Sequence, residues 1–108
     1  MKVLVTGAAG FIGGQLWHTL WQRGDEVVGI DNFSYGNLDN LKFDDHDFGP
    51  EVRRMDIRDR EALPKLFEEE KFDVVYNIAG IAPLPDCQSD PVQAVEVNTM
   101  GLVHVLEC

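Results

Sequence analysis

Residues 3–16 read VLVTGAAGFIGGQL, with glycine at positions 7, 10, 13 and 14 between two apolar runs. The valine-rich run from Lys2 to Thr6 suits a strand buried on both faces. From Phe11 to Arg23 the apolar residues Ile12, Leu16 and Leu20 recur every four positions beside Trp17 and Trp21. That spacing is helical, and Gly24 is placed to close the helix. A turn this short between strand and helix needs backbone angles that glycine reaches cheaply. Gly7 is expected to make the turn, Gly10 to let a ligand approach the backbone, and Gly13 to let the helix lie against the sheet. The mouth of such a helix offers unpaired N–H groups and a partial positive charge, which suit a pyrophosphate. The spacing is G-x-x-G-x-x-G rather than G-x-G-x-x-G.

Further along, Glu26–Asp31 reads as a second strand ending in an acid eighteen residues after Gly13. A carboxylate there can accept hydrogen bonds from a ribose diol, and it repels a 2′-phosphate. No Arg or Lys lies between Asp31 and Leu41 to reverse that preference, so NAD is favoured over NADP. The polar segment from Asn32 to Pro50 holds one short helical turn near Leu38–Leu41. Glu51–Met55 reads as a third strand. Asp59 is then placed to cap a helix running to about Glu70, with Ala62, Leu63, Leu66 and Phe67 inward. Pro64 belongs to its first turn or marks its start. Asp73–Ala79 reads as a fourth strand, followed by a turn-rich loop through Gly80, Pro83 and Pro85. Asp90 caps a last helix that opens on Pro91, with Val92, Val95, Thr99, Leu102, Val103 and Leu106 as its apolar face. That helix meets Cys108 without a stop signal, as though cut. The order implies an α/β, doubly wound parallel sheet of the Rossmann-like kind, with about four strands, helices on both faces, and a truncated end.

Composition narrows the function. The chain has 108 residues, enough for one small domain, and 44% hydrophobic residues, enough for a packed core. No apolar run approaches the roughly 20 residues of a membrane span, and the short run at the N-terminus reads as a strand rather than a signal peptide. Net charge is −10 and no basic stripe is present, which argues against nucleic acid as partner. The acidic groups around Asp39, Asp44, Asp45, Asp47 and Glu51, and at Glu68–Glu70, read as solvated surface; no calcium-loop spacing follows Asp45. Cys87 and Cys108 form no C-x-x-C pair, so no metal or redox site is indicated and cytosolic thiols, hence a cytoplasmic protein, are expected. His18, His46 and His104 are expected to be structural, and the two tryptophans to pack on a neighbouring layer rather than bind.

Several segments together carry a resemblance: Thr6-Gly-Ala-Ala-Gly-Phe-Ile-Gly13, Val28-Gly-Ile-Asp-Asn-Phe-Ser34 with Gly36, Asp56-Ile-Arg-Asp59, Asn77-Ile-Ala-Gly80, and Asn98 with Gly101. In this order the chain resembles the extended short-chain dehydrogenases/reductases, and among them the NAD-dependent nucleotide-sugar epimerases and dehydratases. The resemblance covers residues 1–108 as the N-terminal part of an NAD-binding domain, with the substrate-binding lobe absent. It implies backbone contacts from Phe11 and Ile12 to the pyrophosphate. Asp31, Asn32, Phe33, Ser34 and Gly36 would surround the adenosine ribose. Asp56 and Ile57 would hold the adenine, the carboxylate accepting from its exocyclic amine. Ile78, Ala79, Gly80 and Ala82 would line the path to the nicotinamide. Asn98 would either touch the cofactor or bond to nearby backbone. Two positions depart from the family: Val97 stands where relatives often carry a polar residue, and Ala82 where some epimerases place a lysine.

The family's chemistry uses a tyrosine with a lysine four residues on, whose ammonium lowers the tyrosine pKa. Tyr35 and Tyr76 are followed at that distance by Asp39 and Gly80, so no catalytic residue is assigned in this chain. A nucleotide-sugar substrate is expected only in a full-length relative, and the last strand is expected to leave a parallel edge open to self-association. The rival readings are a non-catalytic nucleotide-binding or interaction module of the same fold, and an inactive truncated product.

Overall fold

The computed structural model describes residues 1–81 and 83–108. Its strands are β1 (Lys2–Thr6), β2 (Glu26–Asp31), β3 (Arg53–Arg54) and β4 (Val74–Asn77). All pairings are parallel and the order is β3-β2-β1-β4. The first helix, α1 (Phe11–Gln22), crosses from β1 to β2. A 3₁₀ turn occupies Leu38–Leu41, as the sequence implies. The second helix, α2 (Ala62–Glu70), crosses from β3 to β4. Thereafter come α3 (Leu84–Ser89), α4 (Pro91–Val95), a π turn (Glu96–Met100) and α5 (Gly101–Glu107). Among the described residues no helix is long and apolar enough to cross a membrane.

β1 sits centrally, and Val3, Leu4 and Val5 are fully buried on its two faces. On one face, Val3 and Val5 join Trp17, Leu20, Leu41 and Phe48. On the other, Leu4 and Ile30 join Ile57, Leu63, Leu66, Val97 and Val105. This is the two-sided burial that a central parallel strand requires. Trp17 is 2% exposed with its ring 4.9 Å from that of Phe48, so it is core. The acids from Asp39 to Glu51 are not all bare surface. Asp45 accepts from His18 at 2.7 Å, and Glu51 pairs with His46. The ring of His18, on α1, stacks on Phe43 at 3.9 Å, so the His18 contacts help pin the segment to that helix.

Four sequence expectations need correction. β3 is two residues long, not five: the Glu51 and Val52 N–H groups both turn back to the Phe48 carbonyl, leaving only Arg53 and Arg54 to pair with Ile30 and Asp31. The fourth strand is likewise shorter than Asp73–Ala79, spanning Val74–Asn77. The loop through Pro83 and Pro85 contains α3; Pro83 stands at its N-cap and Pro85 in its first turn, where a missing N–H costs nothing. The expected face of the last helix is outward. Val92, Val95, Thr99, Leu102, Val103 and Leu106 are exposed, whereas Ala94, Val97, Gly101 and Val105 are buried. The π turn inserts a residue into the helical period and resets which side faces the sheet. Elsewhere the reading holds: Asp59 Oδ1 accepts from Glu61 and Ala62 N–H, Pro64 lies in the first turn of α2, and Asp90 accepts from Gln93 N–H. β4 pairs with β1 alone among the described strands and is an edge of the sheet.

Candidate functional site

β1 ends at Thr6, whose buried hydroxyl donates to Asn77 Oδ1 at 2.6 Å and accepts from Ala79 N–H at 3.1 Å. The tips of β1 and β4 are thereby tied together. Gly7 follows with φ +66°, and a Cβ there would stand 2.7 Å from the Ala79 nitrogen. Both the angle and the neighbour demand glycine. At Gly13, a Cβ would collide with the Gly7 carbonyl, reaching 2.9 Å from its carbon and 3.0 Å from Ala8 Cα. So Gly13 fits α1 onto the turn itself. No side chain caps α1. The N–H groups of Phe11, Ile12 and Gly13 find no acceptor among the described residues, and they line a crevice at the helix mouth. They form an anion cradle of backbone dipoles.

Asp31 stands beside it, only 9% exposed. Its Oδ2 accepts from Ala9 N–H at 2.9 Å and its Oδ1 from Phe33 N–H at 2.7 Å. A carboxylate has about four lone-pair directions, so two remain for a diol. Gly36 lets the loop after β2 fold close: a Cβ there would lie 2.9 Å from each Asp31 oxygen. The loop is also stitched to the glycine turn, because Asn37 N–H and the Asn40 side chain each donate to the Ala9 carbonyl at 2.9 Å.

At the exit of β3, Asp56 meets Arg58 through a fork: Nε lies 3.0 Å and Nη2 2.7 Å from its two oxygens. Arg58 N–H and the Asn32 amide add bonds of 2.9 and 3.1 Å. The Arg58 guanidinium, more than any other group, holds the Asp56 carboxyl down at about 2. Arg58 in turn approaches Glu96 at 3.5 Å, and the two carboxylates keep its own pKa raised. An adenine amine reaching Asp56 therefore shares an oxygen already engaged by Arg58, a partner the linear reading did not assign.

These elements enclose a crevice of about 420 Å³. Gly7, Gly10, Phe11, Ile12 and Gly13 line it from the turn. Asp31, Asn32, Ser34 and Gly36 line it from the tip of β2, and Asp56 and Ile57 from that of β3. Ile78, Ala79 and Gly80 line it from β4. Two expected residues stand off its wall. Phe33, at φ +62°, carries the Arg54 guanidinium 4.7 Å from its ring centre. Asn98 has its Oδ1 2.6 Å from Ile81 N and its Nδ2 2.8 Å from Ile81 O, the backbone-bonding role. Ala82 lies outside the described residues. The walls further include Ile30, Met55, Ile81 and Val97, with Tyr35, Pro83 and Gln93 at the margin. Val97 forms an apolar part of that wall.

The donor set fits a dinucleotide: unpaired amides for a diphosphate, an acid with free lone pairs for a diol, and apolar walls for two rings. Comparison with known proteins agrees. Residues 3–108 match the model of the NAD dependent epimerase/dehydratase family. The chain belongs to that family. It is 34% identical to UDP-glucose 4-epimerase 2 of Arabidopsis thaliana, over 98% of this chain and 32% of that protein. Identity to UDP-glucuronate 4-epimerase 1 of the same plant is 37%, over 99% of the chain and 26% of the relative. The solved structure of the Thermus thermophilus UDP-glucose 4-epimerase in complex with NAD superposes with a TM-score of 0.85 at 37% identity, covering 99% of this chain and 33% of that one. The chain thus spans a quarter to a third of the length of these relatives.

Proposed function

We propose that this chain is the NAD-binding, N-terminal part of a cytoplasmic nucleotide-sugar epimerase or dehydratase, with UDP-sugars as the substrate class of the whole protein. The observation that carries the reading is the juxtaposition of Asp31, with two unused lone-pair directions, and the unpaired amides at the mouth of α1. Phe11, Ile12 and Gly13 would hold the diphosphate. Asp31 would take the adenosine diol and reject a 2′-phosphate. Ile57 and Met55 would bracket the adenine beside Asp56, and Ile78–Gly80 would flank the nicotinamide. When bound, the nicotinamide supplies reversible hydride acceptance, so a sugar can be oxidised, altered and reduced again.

Arg54, paired in register with Asp31 across β2 and β3, rests its guanidinium on the Phe33 ring, and neither Arg54 nor Phe33 lines the crevice, which supports the preference for NAD. The likeness to an epimerase solved with NAD supports the cofactor, and the epimerase relatives support the substrate class. A calorimetric titration tests the reading. NAD is expected to bind weakly and NADP more weakly still, with Asp31→Ala reducing the difference. Binding of NADP as tight as NAD would overturn it. The 108-residue chain has no Tyr-x-x-x-Lys pair, so no turnover of a UDP- or dTDP-sugar is expected from it alone.

A further inference from the structure

Asp31 and Arg54 are register partners on β2 and β3, so their backbones lie one strand spacing apart, about 4.8 Å. An acid and a guanidinium so placed are within reach of an ion pair, yet they form none. The Asp31 oxygens accept from the Ala9 and Phe33 N–H groups. Arg53 pairs with Glu70 and Arg58 with Asp56, whereas Arg54 makes no ion pair among the described residues. Its guanidinium lies instead over the Phe33 ring, 4.7 Å from the centre. We propose that Phe33 is a cofactor-specificity residue: it holds Arg54 on its ring, away from the place beside Asp31 where a 2′-phosphate would stand. The inference rests on the reading of the crevice as an NAD site and deepens it. Selection against NADP then depends on where a cation is held as well as on the Asp31 charge, and Phe33 acts as a positioning residue.

The backbone at Phe33 is left-handed, φ +62°, which is uncommon for a bulky side chain. Two sets of contacts hold it there. Its N–H donates to Asp31 Oδ1 at 2.7 Å, and its side chain packs, partly buried, against the core cluster that contains Trp17, Leu41 and Phe48. The ring is thus tied both to the acid and to the core. A guanidinium is planar, always charged and forked to match a phosphate. Arg54 is exposed, and its attraction to an aromatic face at such a site is real but modest. A 2′-phosphate that recruits Arg54 must first detach it from Phe33, and that work is subtracted from the affinity for NADP. NAD makes no such demand.

The test titrates NAD and NADP into the chain and its variants by calorimetry and reads the ratio of the two affinities. Phe33→Leu and Phe33→Met keep an apolar side chain for the core and remove the aromatic face. Either is expected to shift the ratio toward NADP about two- to five-fold, the range of one exposed cation–π contact. Phe33→Tyr keeps the face and should hold the parent ratio. In an Arg54→Ala background, Phe33→Leu should leave the ratio where Arg54→Ala alone puts it. A merely structural role for Phe33 would move both affinities together and would not depend on Arg54. The parent ratio retained in both Phe33→Leu and Phe33→Met, or a shift that survives in the Arg54→Ala background, overturns the inference while leaving the NAD site standing. Binding of neither dinucleotide by the parent chain overturns the reading of the crevice, and this inference with it.

Discussion

Gly10 and Gly13 are three residues apart in one turn, yet the structure assigns them separate burdens that alanine can resolve. At Gly10 the backbone is extended, φ −78° and ψ 172°, and a Cβ would lie 3.3 Å from the Gly7 carbonyl oxygen. The neighbour need yield only a few tenths of an ångström. Replacing glycine at a permitted angle stabilises by about 0.4–1 kcal/mol through the unfolded chain, so Gly10→Ala should leave stability within about 0.5 kcal/mol of the parent. Its methyl, however, would occupy the mouth where a phosphate must come within about 3 Å of the amides. Overpacking of about 1–3 kcal/mol there corresponds to a loss of NAD affinity of roughly 5- to 100-fold. At Gly13 the order reverses. The added Cβ meets backbone atoms of Gly7 and Ala8 at 2.9 and 3.0 Å, which cannot rotate away. The helix-propensity gain of about 1 kcal/mol is outweighed, and a net loss of about 1–2 kcal/mol is expected. Thermal melts with NAD titration separate the two. A Gly13→Ala variant that melts higher, or a Gly10→Ala variant that binds NAD as the parent does, would refute this division.

Two further outcomes follow from the polar clamps. Asn98→Ala leaves the Ile81 N–H unpaired and its C=O with only the weak Cys87 thiol donor, and should cost about 1–2 kcal/mol in urea unfolding; an unchanged midpoint would remove the clamp. The Asp56 carboxyl is held at about 2 chiefly by Arg58, below its unfolded value near 4. Its stabilisation is therefore complete above about pH 4 and lost as pH falls through 2. For a partly exposed pair, solvent screening reduces it to the order of 1 kcal/mol. The stability gap between the parent and Asp56→Asn should close across that window, and a gap constant down to pH 2 would contradict the pairing.

What the sequence disclosed depended on whether a feature is local. The glycine turn, the acid at the tip of β2, the 3₁₀ turn at Leu38–Leu41 and the Asp90-Pro91 helix start all follow from short-range backbone chemistry, and the structure contains them. Features set by which acceptor a turn happens to present, or by partners across the sheet, were hidden. Glu51 and Val52 look like strand, but Phe48 supplies their acceptor first. Pro83 and Pro85 look like loop, yet both fit the opening of a helix. The π turn at Glu96–Met100 breaks the 3.6-residue period on which a face is read, so Val97 and Val105 are buried in place of Val95 and Leu106. Arg58 escaped notice because its value lies in pairing with an acid two residues back, a contact that turn geometry creates. Arg54 escaped because β3 brings it beside Asp31 across the sheet, where sequence distance says nothing.

The charge balance poses a sharper test of how the anion is held. A chain of net charge −10 repels a dinucleotide at long range. Among the described residues lining the crevice, no Lys or Arg is present; the only charged side chains are Asp31 and Asp56. Arg58 neutralises Asp56, and two backbone N–H groups solvate Asp31. What faces the diphosphate is a set of amides whose partial charges act within the first helical turn. Short-range attraction inside long-range repulsion has a distinctive salt response. Raising salt from about 0.01 to 0.15 M shortens the screening length from about 30 to about 8 Å. That weakens the repulsion from the distant acids and leaves the amide contacts nearly intact. NAD affinity should therefore rise modestly with salt, by a factor of about two to three. A phosphate gripped by lysine or arginine side chains gives the opposite slope. Affinity that falls steadily over this range would show that a cation, and not the mouth of α1, carries the binding.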